Sequence, residues 1–240
     1  MSVPTKWVSR QIFALFQPVP GLHLQRMKGP GSGSGEPVQS YDAFGRSQAG
    51  DKNMTKILAI SGSLRAKSYN TALLRAAQML AAPDTTLDIA TLHGIPLYDG
   101  DVEEREGVPQ IVNDLKARIR ASDGLLLATP EYKNGIPGVF KNAIDWLSRP
   151  PADIPKIFAN RPVAVIGASP GGFGTILAQT SWLAVLRTLG TRHWSGGRLL
   201  VSRANHVFDE NGSITDETVR KQLQDFLRGY AQFIYLNPLP

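Results

Sequence analysis

Three short runs in this chain are apolar without a break: Ile57-Leu-Ala-Ile60, Leu125-Leu-Leu-Ala128 and Val163-Ala-Val-Ile166. A strand with one wet face alternates apolar and polar side chains, so an unbroken run fits a parallel strand covered by helices on both faces. The runs are read as strands Lys56–Ser61, Gly124–Thr129 and Pro162–Ala168, with further strands at Thr86–Leu92 and Gly197–Val201. Helices are expected over Tyr69–Ala82, Val108–Ser122, Gly138–Ser148, Ile176–Leu189 and Thr215–Leu236. Val108–Ser122 illustrates the pattern: Ile111, Val112, Leu115 and Ile119 form one stripe, with Asn113, Asp114, Lys116 and Arg120 opposite. Five strand–helix units give an open, doubly wound α/β sheet. Ligands of such sheets sit beyond the carboxyl ends of the strands, where the strand order reverses.

That rule directs attention to the loops after strands one, three and four. The first loop holds Ser61, Gly62, Ser63, Arg65, Ser68 and Asn70 before an apolar helix begins. Unpaired N–H groups and the positive end of the helix dipole face such a loop, and hydroxyls, a guanidinium and an amide add donors. The chemistry is that of a phosphate site. Ser68 or Asn70 also suits a helix N-cap, which uses the same N–H groups. The second loop, Thr129-Pro-Glu-Tyr-Lys-Asn-Gly-Ile-Pro-Gly138, and the third, Ala168-Ser-Pro-Gly-Gly-Phe-Gly-Thr175, combine Pro, Gly and one aromatic each. Such loops let backbone approach a flat ligand, and Tyr132 and Phe173 are placed to lie along its ring. A monophosphate on a flat heterocycle fits the three loops best. Glu131 reads either as a general base or as a solvated or capping carboxylate. Trp146 and Trp182 fall on apolar helix faces and read as core.

Several classes are excluded by what is absent. The chain has no cysteine, so disulfides, thiolate metal sites and cysteine nucleophiles do not arise. His23, His93, His193 and His206 lack metal-ligand spacing. Neither G-x-x-x-x-G-K-[ST] nor a G-x-G-x-x-G after the first strand occurs. No apolar run is long enough for a membrane helix, and no Lys/Arg stripe interleaves with aromatics as nucleic-acid binding would need. The formal charge of +6 is divided: residues 1–53 hold six Lys/Arg against three Asp/Glu, and the rest holds 20 against 17. Residues 29–53 are Gly- and Ser-rich without periodicity. Residues 1–53 are therefore read as a flexible extension, dispensable for folding, ahead of a domain spanning 54–240.

The motif G-S-L-R-x-x-S-x-N at Gly62–Asn70, followed by P-E-Y-x-x-x-I-P-G-V-x-K-N-A-I-D-W at Pro130–Trp146, resembles the NADPH-dependent FMN reductase family. Within it the chain is most similar to the chromate and quinone reductases, and the resemblance runs from residue 56 to about 232. It implies a flavodoxin-like fold with strand order 2-1-3-4-5, FMN as cofactor, and a homodimer or a tetramer built from dimers. By position, Ser63, Leu64, Arg65, Ser68 and Asn70 would hold the FMN phosphate. Pro130, Glu131, Tyr132, Lys133 and Asn134 would line the isoalloxazine, and Ser169 and Gly171 would close the other side. Two residues depart from the family pattern: Lys133 stands where Asn is usual and Leu177 where Arg is usual.

The function that follows is a cytoplasmic, FMN-dependent oxidoreductase. It would take a hydride from NADPH or NADH and pass electrons to quinone, chromate, azo or flavin acceptors. The flavin performs the chemistry, so no catalytic side chain is required. Arg65, Lys133 and Arg149 would favour anionic acceptors. The alternative is a flavodoxin-type carrier that exchanges single electrons with protein partners, which usually presents an acidic face; an isoelectric point near 9.6 reads against it. A non-catalytic scaffold using the extension as a partner hook is the third reading.

Overall fold

The computed structural model describes residues 54–240, and the expected extension over 1–53 lies outside the described residues. In chain order the elements are β1 (Thr55–Ser61), α1 (Tyr69–Leu80), β2 (Thr85–Ala90), α2 (Gly100–Glu106), α3 (Gln110–Arg120), β3 (Gly124–Ala128) and α4 (Gly138–Leu147). A 3-10 turn at Pro151–Asp153 leads into α5 (Ile154–Ile157), then β4 (Pro162–Ala168), α6 (Ile176–Thr188), β5 (Arg192–His193), β6 (Leu199–Val201), α7 (Ala204–Val207) and α8 (Glu217–Leu236). The sheet runs β2-β1-β3-β4-β5, every pairing is parallel, and β6 also pairs with β4. This is the flavodoxin-like order that the resemblance implies.

The unbroken apolar runs serve two cores because successive strand side chains point to opposite faces. Ile57, Ala59, Leu126, Ala128, Ala164 and Ile166 pack with Leu73, Leu74 and Ala77 of α1 and with Leu223, Phe226, Leu227 and Tyr230 of α8. Leu58, Ile60, Leu125, Leu127, Val163 and Val165 pack on the other face with residues of α3, α4 and α6, including Trp146 and Trp182. Both tryptophans are fully buried. Tyr230 reaches from α8 into the sheet, where its hydroxyl donates toward the carbonyls of Leu125 (2.6 Å) and Pro162 (2.9 Å).

Three differences from the sequence reading have physical causes. The fifth strand is not one segment: Arg192–His193 pairs with Pro162–Val163, and Leu199–Val201 pairs with Ile166–Ala168. Between them Trp194 turns inward onto Phe226 (ring centroids 4.8 Å apart) and Tyr230 (5.6 Å). A Cβ on Gly196 or Gly197 would lie 2.6 or 2.8 Å from the indole, so the chain breaks from the sheet to seat that ring. Helix α2 escaped notice because it buries no residue and rests on its Asp99 cap and on Glu103, which receives Tyr98 Oη (2.9 Å) and Arg149 Nε (2.7 Å). On α3, Ile111 is partly exposed and Lys116, expected on the polar face, is buried.

Lys116 is tolerated inside because its ammonium is paired. It donates to Asp153 Oδ2 at 2.9 Å and to the Arg149 carbonyl, tying α3 to the segment between α4 and β4. The Lys116 ammonium hydrogen-bonded to Asp153 holds that carboxyl below the usual aspartate range of about 4. A depressed folded-state pKa contributes stability above the unfolded value and loses it as pH falls through the folded one. Asp153→Asn is therefore expected to cost about 1–3 kcal/mol at neutral pH, since it leaves a buried ammonium uncompensated. The deficit should shrink as both proteins are taken below pH 4, which denaturant melts across pH will show.

Candidate functional site

The loops after β1, β3 and β4 emerge at one end of the sheet, because these strands are adjacent and parallel. The first is set by close packing. Gly62 donates its N–H to the Ala128 carbonyl (2.9 Å) beneath Phe140, and a Cβ there would fall 2.1 Å from the ring. Phe140 in turn meets Trp182 edge-on, with centroids 4.8 Å apart. Ser61 Oγ and Thr71 Oγ1 are 2.8 Å apart and buried. Ser63 is buried, with its hydroxyl accepting the Arg65 N–H (3.3 Å); Leu64 and Arg65 are exposed. Arg65's guanidinium has no hydrogen bond or ion pair among the described residues.

Ser68, not Asn70, is the N-cap of α1: its Oγ accepts the Thr71 N–H at 3.3 Å. Asn70 faces inward. Its Nδ2 donates to the Ala168 carbonyl and its Oδ1 accepts the Ala168 N–H, both at 2.9 Å. The amide expected to join the phosphate set is thus engaged at both ends in holding α1 to the end of β4.

In the second loop Thr129 and Pro130 are buried, and Thr129 donates its N–H to Ile166 O (2.9 Å) and its hydroxyl to Pro130 O (2.9 Å). Tyr132 and Gly135 exchange two backbone hydrogen bonds of 3.1 Å, closing a hairpin with Lys133 and Asn134 at its tip. Both tip residues have positive φ, 49° and 63°, as a type I′ turn demands. Glu131 resolves as a cap: its Oε2 accepts the N–H groups of Leu177 (2.8 Å) and Ala178 (3.0 Å) at the start of α6. A carboxylate there satisfies orphan donors and meets the positive end of the helix dipole. It also joins the second loop to the third.

The third loop folds back on the sheet. Gly167 lies so close under it that a Cβ would meet Thr175 Oγ1 at 2.0 Å and Thr129 O at 2.4 Å. Ser169 donates its hydroxyl to Gly174 O (2.6 Å) and its N–H to Val201 O (2.9 Å). The Gly171 carbonyl receives the Arg203 N–H at 2.9 Å, and Ser169 O receives that of Ala204 at 3.0 Å. Tyr132 and Phe173 keep their rings in solvent, 48% and 83% exposed, and Leu177 is 44% exposed. Arg149 does not join this group. It follows the C-terminal end of α4, whereas the second loop precedes the N-terminal end, and its guanidinium is held by Glu103 beside the Tyr98 ring.

Sequence reasoning overlooked three contributors: Phe140, Gly167 and Arg203. Phe140 and Gly167 carry no signal without the fold, since only tertiary packing gives them their role. Arg203 stood at the carboxyl end of the edge strand, where the same positional rule applies.

A family model described as NADPH-dependent FMN reductase matches residues 55–206. An NAD(P)H-dependent FMN reductase of Pseudomonas aeruginosa is 42% identical over 179 residues, covering 75% of this chain and 95% of that protein. A 2-hydroxy-1,4-benzoquinone reductase of a Burkholderia species is 36% identical over 179 residues, covering 75% and 96%. Among solved structures, the flavoenzyme NAD(P)H:(acceptor) oxidoreductase FerB of Paracoccus denitrificans superposes with a TM-score of 0.68 at 35% identity, covering 77% of this chain and all of that one.

Two outcomes are expected from this geometry. Gly62→Ala should cost about 1–3 kcal/mol by forcing Phe140 aside, and Phe140→Leu in the same chain should recover part of it; a double-mutant cycle in urea reads the coupling. Lys133→Asn should raise stability by about 0.5–1 kcal/mol, because Asn tolerates the left-handed region better than Lys. Thermal melts check the second.

Proposed function

The chain belongs to the NADPH-dependent FMN reductase family, and from that premise we propose that residues 54–240 form an FMN-dependent NAD(P)H oxidoreductase domain delivering electrons to small-molecule acceptors. Two features of the first loop fit a flavin phosphate: the unpaired Arg65 guanidinium and the buried Ser63 hydroxyl. At the start of α1 the N–H groups of Tyr69 and Asn70 are also without acceptors among the described residues. The observation that carries the reading is this donor set at the same sheet end as two Gly- and Pro-rich loops with solvent-facing aromatics, one strand and two strands away.

In this reading Ser63, Leu64, Arg65 and Ser68 hold the phosphate, with Asn70 fixing their position through Ala168. Pro130, Glu131, Tyr132, Lys133 and Asn134 supply the wall along the ring, and Ser169 and Gly171 the opposite wall. FMN held by these residues would supply the redox chemistry that links nicotinamide oxidation to acceptor reduction. The chain's own part is to bind, orient and exclude water. Glu131, engaged by two backbone N–H groups, acts as a strut and not as a proton carrier. The backbone donors of the hairpin and of the third loop are the groups available to steady negative charge at a ring edge.

The Burkholderia relative's name supports quinones as acceptors, and FerB's supports direct NAD(P)H oxidation over the flavodoxin-type carrier. The proposal includes a homodimer or dimer-of-dimers and a cytoplasmic location. Among the described residues no helix is long and apolar enough to cross a membrane.

The purified protein should carry flavin absorbance that bleaches promptly on stopped-flow mixing with NADPH and returns with a quinone; a carrier would not be reduced directly. Arg65→Ala should weaken FMN retention by about 1.5–3 kcal/mol, the range for a hydrogen bond to a charged group. Undiminished flavin content in that variant would refute the phosphate assignment.

A further inference from the structure

Arg203 combines two features that a surface arginine seldom has together. Its backbone lies in the left-handed region, φ 49° and ψ 44°, although it is not glycine and its neighbours would accommodate one. An L-residue held there stores strain of the order of 1 kcal/mol, which persists where surrounding structure enforces it. The enforcement is visible: Arg203 N–H to Gly171 O, Ala204 N–H to Ser169 O, and Ser169 N–H to Val201 O stitch the end of β6 to the third loop. The exposed guanidinium has no hydrogen bond or ion pair among the described residues. Arg118, Arg149, Arg161 and Arg220 are engaged, whereas Arg75, Arg120, Arg187 and Arg198 are also exposed and unpaired among the described residues, so the left-handed backbone and the place at the end of β6 set Arg203 apart.

Position gives this free cation a meaning. Arg203 stands at the carboxyl end of β6 and Arg65 at that of β1, with β3 and β4 between them. Three strand spacings, about 14 Å, separate β1 from β6. One anion on the Arg65 side belongs to the flavin in the reading above. A second cation across the same edge serves a second anion-bearing molecule. The substrate of that reading which carries phosphates is the nicotinamide dinucleotide.

We propose that Arg203 is a specificity-determining residue that grips a phosphate of the incoming nicotinamide dinucleotide. The inference rests on the chain being an FMN-dependent NAD(P)H oxidoreductase. Its ligand chemistry is a phosphate monoester or diester, so either the 2′-phosphate or the pyrophosphate satisfies it, and the choice between NADP+ and NAD+ as titrant separates them.

The test is calorimetric titration of the FMN-loaded full chain with NADP+ and with NAD+, for the wild type, Arg203→Gly and Arg203→Lys. Glycine keeps the N–H bond to Gly171 and relieves the left-handed strain, so its melting temperature should hold or rise. Its Kd for NADP+ should nevertheless weaken by about tenfold, the value of one exposed charge-assisted hydrogen bond, and Arg203→Lys should retain part of the affinity. Weakening confined to NADP+ assigns the 2′-phosphate, and equal weakening for NAD+ assigns the pyrophosphate; both support the proposal. A Kd within twofold of wild type for both nucleotides, at full flavin content, overturns it. Wild-type protein that takes up no FMN overturns the reductase reading on which it stands.

Discussion

The candidate site depends on one side chain more than on any other, the inward-facing amide of Asn70. It closes a two-point clamp on the backbone of Ala168, the last residue of β4, from the first turn of α1. Strands β1 and β4 do not touch, since β3 lies between them. The clamp ties the helix that follows the first loop directly to the strand end from which the third loop departs. Each clamp bond contributes about 1 kcal/mol net, but losing the amide would leave a buried N–H and a buried carbonyl unsatisfied, which costs more than the bonds contribute. The amide's value lies in fixing geometry between two walls of one site.

The same economy recurs through the three loops. Polar groups that could have met a ligand are engaged in fixing the loops: Ser68 caps α1, Ser169 closes on Gly174 and Thr129 on Pro130 within their own loops, and Glu131 caps α6 and so joins the second loop to the third. What remains unengaged is correspondingly informative. Among the described residues, Arg65, Lys67, Lys133 and Arg203 are cations at this edge with no side-chain partner, and Tyr132 and Phe173 are aromatics with open faces. A rigid frame of mutually satisfied polar groups, with a few free cations and rings projecting from it, is the division that positioning a bound cofactor requires.

The fold was legible where burial on both faces forces an unbroken apolar run, which marks the three central strands, while their order came from the family resemblance. It was less legible wherever tertiary contact decides. Trp194 breaks the edge strand because α8 offers Phe226 and Tyr230 to pack against, a contact with no local signature. Lys116 looked solvent-facing because its partners, Asp153 and the Arg149 carbonyl, lie more than 30 residues away. In the site, residue types and loop positions were readable, but roles were not. Ser68 and Asn70 offered the same capping chemistry on paper, and only the approach of β4 separates them. Arg149 and Arg65 are equally basic in sequence, yet one is already neutralised by Glu103.

Strain marks the boundary between frame and ligand-facing surface. Lys133, Asn134 and Arg203 are three of the four non-glycine residues with positive φ among the described residues, and all three lie in segments that border the site. The hairpin tip has a geometric reason, since a two-residue turn of this hand needs positive φ at both positions. Asn is suited to that conformation and Lys is not, so Lys133 retains an ammonium at a cost that a glycine or asparagine would avoid. Arg203 repeats the pattern on the opposite wall, where no turn type demands a charged residue. Two cations held in a conformation disfavoured for their residue types, on either side of one sheet edge, contribute less to folding stability than their replacements would. Their charges are accounted for by the molecules proposed to meet this edge, an anionic acceptor at Lys133 and a phosphate of the nicotinamide dinucleotide at Arg203.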